Sequence, residues 1–213
     1  MFKMLCRGLL LVLAVLSIPA QASVTPQQVV QGTVDQVLAE LTANREHFRQ
    51  SPESFYQALD RILSPVVDFE GFARGVMTVR YSRGASPAQM QAFQDSFKRS
   101  LMQFYGNALL EYENEEIRML PPAPSRDPGR AAVNMEIVGR NGAIYPLSYT
   151  MEQKGDVWLV RNVIVNGINI GKLFRDQFAD AMRSNRNDLD RVIAGWGDTV
   201  ARSRQTIEAG EAQ

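Results

Sequence analysis

The sequence predicts an α+β fold, an antiparallel sheet of about four strands wrapped by helices. Three observations carry the prediction. Apolar residues recur at helical spacing before residue 112 and after residue 169. Two-residue alternation is confined to the stretch between them. Short turns, Asn141-Gly142 and Lys154-Gly155-Asp156, join the alternating runs, as in a meander. Helices, strands and helices thus follow one another in blocks, the order of an α+β domain.

Three helix starts share one chemistry: Thr25-Pro26, Ser51-Pro52 and Ser86-Pro87. The hydroxyl can cap free N–H groups, and proline suits the first helical position. Gln28 and Gln89 stand three residues after their caps, as in a capping box. The first helix is expected from Pro26 to Phe48, with Val30, Val34, Val37, Leu38 and Leu41 as its stripe. The second runs from Pro52 to Leu63, and Pro65 follows its end. A third begins at Asp68 and carries Phe69, Phe72 and Val76. The fourth, from Pro87 to Tyr112, is about 39 Å long at 1.5 Å per residue. Its Gly106 is a point of weakness where a bend is expected.

Glu116–Leu120 is the first expected strand, followed by a proline-rich surface loop over residues 121–130. Ala131–Val138 and Ala143–Met151 alternate, each with one apolar face. Val157–Val165 is apolar on both faces and is expected to be the most buried strand. Residues 166–171 read as a strand-to-helix loop, and two helices follow, Asn169–Arg183 and Asp188–Arg204. The tail from Ile207 is expected to fray.

Lys3 and Arg7, the apolar run Leu9–Ile18 and the small residues of Pro19-Ala20-Gln21-Ala22 have the layout of a secretory signal peptide cut before Ser23. The run is about ten residues, against the roughly 20 that span a bilayer, so cleavage is expected and not anchoring. The remaining chain, residues 23–213, is expected to be a single domain: helical over 25–112, a sheet over 114–165 and helical over 169–205. Its net charge falls to about −2, which argues against a nucleic-acid partner. The one cysteine, Cys6, lies in the signal segment. An exported chain without disulfides points to a bacterial periplasm.

Catalytic chemistry is thinly represented. His47 is the only histidine, and no His-x-x-x-His or Cys-x-x-Cys spacing exists, so neither a catalytic residue nor a metal site is expected. Glu113, Glu115 and Glu116 read as a solvated helix end. A curved sheet wrapped by helices can form the cone-like pocket of some isomerases and dehydratases. Tyr105, Tyr149 and Asp68 are the acid–base candidates there, against core tyrosines and a helix cap. A chaperone-like protein with a filled core is a further open reading, because periodicity does not separate a filled core from a cavity.

Four stretches together resemble the MlaC family, the toluene-tolerance type of periplasmic phospholipid-binding protein. They are Val67–Arg74 (VDFEGFAR), Tyr81 with the Ser86-Pro87 helix carrying Phe93, Phe97, Leu101 and Tyr105, then Tyr145–Met151 (YPLSYTM), and Trp158–Ile170 (WLVRNVIVNGINI) continuing to Phe174–Phe178. The resemblance covers nearly all of the chain after the signal. It implies a sheet related to the nuclear-transport-factor-2-like (NTF2-like) cone with an added helical subdomain, and a soluble, monomeric phospholipid carrier of the periplasm, not an enzyme. It implies work within the Mla pathway of outer-membrane lipid asymmetry. The partners implied are an outer-membrane lipoprotein complex and an inner-membrane ATP-driven lipid transporter. No cofactor is implied; phospholipid is the cargo.

A carrier needs a dry cavity near or beyond roughly 1,000 Å³, the upper end of common pockets. The sheet residues expected to line it are Val133, Met135, Ile137, Leu147, Tyr149, Met151, Val163 and Val165. Facing them are helical residues Phe72, Val76, Phe97, Leu101 and Tyr105, with Ile168 and Phe174 from the later part of the chain. The opposite parity of the last strand remains open. The head group stays at the mouth, since burying its phosphate unpaired is costly. Arg80 and Arg83 are candidate rim contacts against a reading as solvated loop residues.

Overall fold

The computed structural model describes residues 24–202, so the expected signal segment and the expected frayed tail lie outside the described residues. Helix α1 (Pro26–Gln50) starts on the predicted capping box: the Gln28 N–H donates to Thr25 Oγ1 at 3.2 Å, and the Thr25 N–H donates to Gln28 Oε1 at 2.9 Å. It kinks at Asn44, whose side-chain amide donates to the Glu40 carbonyl. Helix α2 (Pro52–Leu63) lacks the expected hydroxyl cap, because the Ser51 hydroxyl pairs with the Ser54 hydroxyl at 3.0 Å instead.

Helix α3 (Phe69–Ser82) is capped by Asp68 and broken at Thr78, which has φ 58° and ψ 168°. Helix α4 (Pro87–Leu110) again carries the predicted box, here Ser86 with Gln89. Gly106, expected to mark a bend, is where α2 approaches α4: a Cβ there would stand 3.0 Å from the Tyr56 ring. Helix α5 (Ile170–Ser184) follows the sheet, and α6 (Leu189–Ala194) ends at Gly195, after which residues 196–202 are helical again. The single helix expected over 188–204 is therefore interrupted by a glycine, the poorest helix former after proline.

Strands β1 (Glu116–Met119), β2 (Arg130–Val138), β3 (Ile144–Lys154), β4 (Val157–Val165) and β5 (Ile168–Asn169) form one antiparallel sheet in the order β1-β2-β3-β4-β5. The count is five, not four. Asn166 and Gly167 both have positive φ, 48° and 81°, the geometry of a two-residue primed turn, so the chain doubles back before α5 begins. Asn141-Gly142 lies instead in a five-residue loop, residues 139–143, closed by the Gly139 N–H donating to the Ala143 carbonyl.

Strand β4 is not the most buried strand: Val160 alone is buried in it, against Val133 and Met135 in β2. Its partner β5 is two residues long, so most of its outer edge has no neighbouring strand. Register also slips within β4. Thr150 pairs with Asn162 and Met151 with Val160, which leaves Arg161 as the extra residue of a bulge.

The apolar interior has two parts. The larger is helical and aromatic, centred on Trp196, whose ring lies 5.2 Å from Phe93 and 5.8 Å from Phe178. The smaller joins the sheet to the first turns of α1 through Val30, Val133, Met135, Met151 and Val160. Among the described residues, only Val67 and Val163 pack against both parts.

Candidate functional site

The strand register settles the parity of β4. Residues directly opposed in an antiparallel pair share a face, which gives the rows Met119–Met135–Leu147–Val165 and Val133–Tyr149–Val163 on one side of the sheet. Ile137 lies on the same face, opposite Ile117 and Tyr145. The Arg161 bulge then brings Val160 in line with Met151 and Ala131. Val163 and Val165 therefore share the face of Val133, Met135 and Tyr149, and the bulge keeps Val160 on that face as well.

The predicted lining residues fall into three groups. Phe72, Val76, Phe97, Leu101 and Phe174 lie inside the helical part, and their rings fill one another's space: Phe72 and Phe97 are 5.2 Å apart, Phe97 and Phe174 5.6 Å. Val133, Met135 and Met151 lie in the sheet part, with Leu147 and Tyr149 at its margin. Tyr105, Val163 and Val165 are partly buried at the margin of the helical part. Ile168 stands apart. It is 38 % exposed, because β5 places it opposite Val165 at the open edge of the sheet.

A seam thus runs between the helical part and one face of the sheet, bridged by Val67 and Val163. Val67 and the α1 residues Val30 and Val34 belong to it but were not among the predicted lining residues. The apolar stripe of α1 was the signal for the latter two. Two phenols lie at the margins of these parts, Tyr105 at the helical part and Tyr149 at the sheet part. Tyr105 Oη is buried with no hydrogen-bond partner, and burial drives its ionisation far above the usual phenol range. Burial likewise pushes the Tyr149 phenol up to about 12. Both are neutral donors at any physiological pH.

One end of the seam is closed by ion pairs. Asp68 Oδ1 accepts from the Gly71 N–H at 2.9 Å, while Oδ2 accepts from Lys154 Nζ at 2.5 Å and from Arg161. Arg161 also reaches Glu152 at 3.1 Å. The backbone adds a short parallel bridge: the Asp68 N–H donates to the Val160 carbonyl at 3.0 Å, and the Val160 N–H to the Val66 carbonyl at 2.8 Å. Burial raises the Asp68 carboxyl, but the Lys154 and Gly71 hydrogen bonds and the Arg161 charge outweigh it and hold it below the usual carboxylate range. Gly71 is required here, since a Cβ would fall 1.4 Å from Arg161 Nη1. Asp68, an acid–base candidate on sequence grounds, is committed to a cap and two cations.

The acidic residues 113–116 are also engaged: Glu113 and Glu115 pair with Arg140, and Glu116 with Arg118. Two open clefts occur elsewhere. One, of about 410 Å³, is lined by Arg49, Asn107, Leu110, Glu111 and Glu113; the other, of about 310 Å³, includes Arg80 and Tyr81. Neither approaches the expected 1,000 Å³, and neither is lined by a predicted apolar residue. Across the seam Val67 and Val163 touch both apolar parts.

Comparison with known proteins places these features in a context. The family model described as MlaC protein matches residues 31–198. Over 208 residues, 98 % of this chain and 96 % of the relative, the sequence is 56 % identical to "Toluene tolerance protein ttg2D" of Pseudomonas putida. Over 154 residues, 71 % of this chain and 72 % of the relative, it is 24 % identical to "Intermembrane phospholipid transport system binding protein MlaC" of Haemophilus influenzae. Among solved structures, a phospholipid-binding protein from Ralstonia solanacearum, determined in complex with a phospholipid, superposes with a TM-score of 0.74 at 26 % identity. That likeness covers 83 % of this chain and 97 % of the other.

Proposed function

The chain belongs to the MlaC family, and from that premise we propose that it binds diacyl phospholipid between its sheet and its helical body and carries it across the periplasm. The observation that carries this reading is the seam: sheet rows without a charged residue face a helical body, and among the described residues two valines alone connect the two apolar parts. The phospholipid complex of the similar Ralstonia solanacearum protein supports it. The tails are held by Tyr105, Leu147, Tyr149, Val163 and Val165 at the margins of the seam. The packed rings Phe72, Phe97 and Phe174 form the wall behind Tyr105. The head group stays at the mouth in water.

The energetics explain why a carrier is needed. Two 16-carbon chains hold roughly 30 CH₂ and CH₃ groups, and exposing them costs on the order of 24 kcal/mol at about 0.8 kcal/mol each. Spontaneous crossing of water is negligible on that scale. The carrier passes phospholipid between an outer-membrane lipoprotein complex and an inner-membrane ATP-driven transporter and so maintains outer-membrane asymmetry. It acts without a cofactor and without a chemical step. The engagement of Asp68 by Gly71, Lys154 and Arg161 favours binding over isomerase chemistry, which needs an acid or base free to move a proton.

Native mass spectrometry of protein purified without detergent, followed by lipid extraction, tests the binding. Co-purified diacyl phospholipid in a fixed ratio is the expected result. A lipid-free mass unchanged by incubation with phospholipid vesicles overturns the reading. Val163→Trp, placed where both apolar parts meet, is expected to empty the protein of lipid while its circular dichroism is retained. Transfer of labelled phospholipid between vesicles carrying the two membrane complexes tests the shuttling.

A further inference from the structure

We infer that the Tyr105 and Tyr149 hydroxyls are hydrogen-bond donors to the acyl ester carbonyls of the cargo, so that the site selects ester-linked over ether-linked chains. This rests on the lipid-binding reading above and adds to it a chemical basis of selection.

The argument begins with the tyrosines as a set. Tyr56 donates to Asn107 Oδ1 and Tyr112 to the Glu115 carbonyl, both at 2.8 Å. Tyr81 lines the open 310 Å³ cleft, and Tyr145 is exposed. Tyr105 and Tyr149 differ: neither hydroxyl has a hydrogen-bond partner among the described residues. Tyr105 packs at the margin of the helical part and Tyr149 at the margin of the sheet part. Tyr105 continues the inward face of α4 set by Phe97 and Leu101 at four-residue spacing. Tyr149 stands between Val133 and Val163 in one sheet row, and Val163 also touches the helical part.

Buried polar atoms without partners are rare, because desolvation of the group is then uncompensated. Phenylalanine would fill the space of Tyr105 without that cost, so its buried unpaired phenol, with the Tyr149 hydroxyl also left without a protein partner among the described residues, points to an acceptor supplied from outside the chain. Hydrocarbon tails offer none. Travelling from the tails toward the head group, the first acceptors of a diacyl glycerophospholipid are its two ester carbonyls, and a dialkyl ether analogue lacks both carbonyls. Two donors match two carbonyls. The charged phosphate, further along, remains at the mouth.

The test is competition between matched lipids. Delipidated protein is incubated with vesicles containing equal amounts of dihexadecanoyl phosphatidylglycerol and its dihexadecyl ether analogue, and the bound lipids are read by native mass spectrometry. One hydrogen bond is worth about two- to tenfold in affinity, so the natural protein is expected to favour the ester by about threefold or more. Tyr105→Phe and Tyr149→Phe should each lower that ratio, and the double variant should bring it to about one. Equal loading of ester and ether lipid by the natural protein overturns the inference and leaves the carrier reading intact. So does a ratio that the Phe variants leave unchanged while loading falls. If neither lipid loads, the carrier reading itself fails and this inference with it.

Discussion

Asp68→Asn isolates the electrostatic latch at the end of the seam. Asparagine caps a helix about as well as aspartate, so the bond to the Gly71 N–H is retained and only the charge is removed. What is lost is the attraction to Arg161 and Lys154. The Asp68 side chain is 7 % exposed and that of Arg161 29 %, so this contact falls in the range of hydrogen bonds to charged groups, about 1.5–3 kcal/mol. Lys154, at 52 % exposure, is screened by water and adds about 0.2–1 kcal/mol. Together the variant should lose about 2–4 kcal/mol at pH 7.

The pH dependence has a definite sign. The folded-state ionisation of Asp68 lies below its ordinary range, so the carboxylate contributes stability above the unfolded value of about 3.9. That contribution disappears as pH falls through the folded value. Urea unfolding at a series of pH values should show the natural protein and the variant separated at neutral pH and converging in acid, where aspartic acid and asparagine are both neutral. A gap that persists unchanged into acid, or one below about 0.5 kcal/mol at pH 7, would refute the latch.

Two further substitutions test features of the helical body. Thr78 occupies a backbone region that is essentially reserved for glycine, so Thr78→Gly trades about 1–3 kcal/mol of strain against about 0.5–1 kcal/mol of added chain entropy. The melting temperature should rise by a few degrees, and a fall would show that no strain is stored there. Trp196 is completely buried and its indole N–H has no partner. Trp196→Ala should cost about 3–5 kcal/mol through the cavity it leaves. Trp196→Phe, which also deletes the unpaired donor, should cost less than half of that in urea unfolding. Equal losses would mean that packing around the ring is not what the residue contributes.

Much of the local structure was legible in the sequence. Thr25 with Gln28 and Ser86 with Gln89 announced helix starts because a capping box is satisfied within four residues and needs no tertiary partner. Asp68 was readable as a helix start on the same grounds. The Asn166-Gly167 turn was equally available as a primed-turn pair, but the helix starting just beyond it drew the reading toward a loop, and the fifth strand was missed. The Arg161 bulge left no such signal. Val157–Val165 is apolar on both faces, so a one-residue slip changes nothing in its pattern.

The candidate site divides along the same line. Periodicity places Phe97, Leu101 and Tyr105 on one face of α4, because helical geometry alone sets their spacing. It does not decide which of them fills a neighbour's space and which leaves a donor unpaired. Phe97 meets Phe72, Phe174 and Trp196, whereas the Tyr105 hydroxyl has no hydrogen-bond partner among the described residues. Lys154 and Arg161 lie 86 and 93 positions from Asp68 along the chain and act with it as one group only because the start of α3 meets the end of β3 and the middle of β4. The sequence by itself determined the elements, the inward faces and the family resemblance, since these follow from contacts a few residues apart. The tertiary structure alone decided the two apolar parts, the unpaired Tyr105 hydroxyl and the Asp68 ion pairs, since each depends on side chains brought together from different elements.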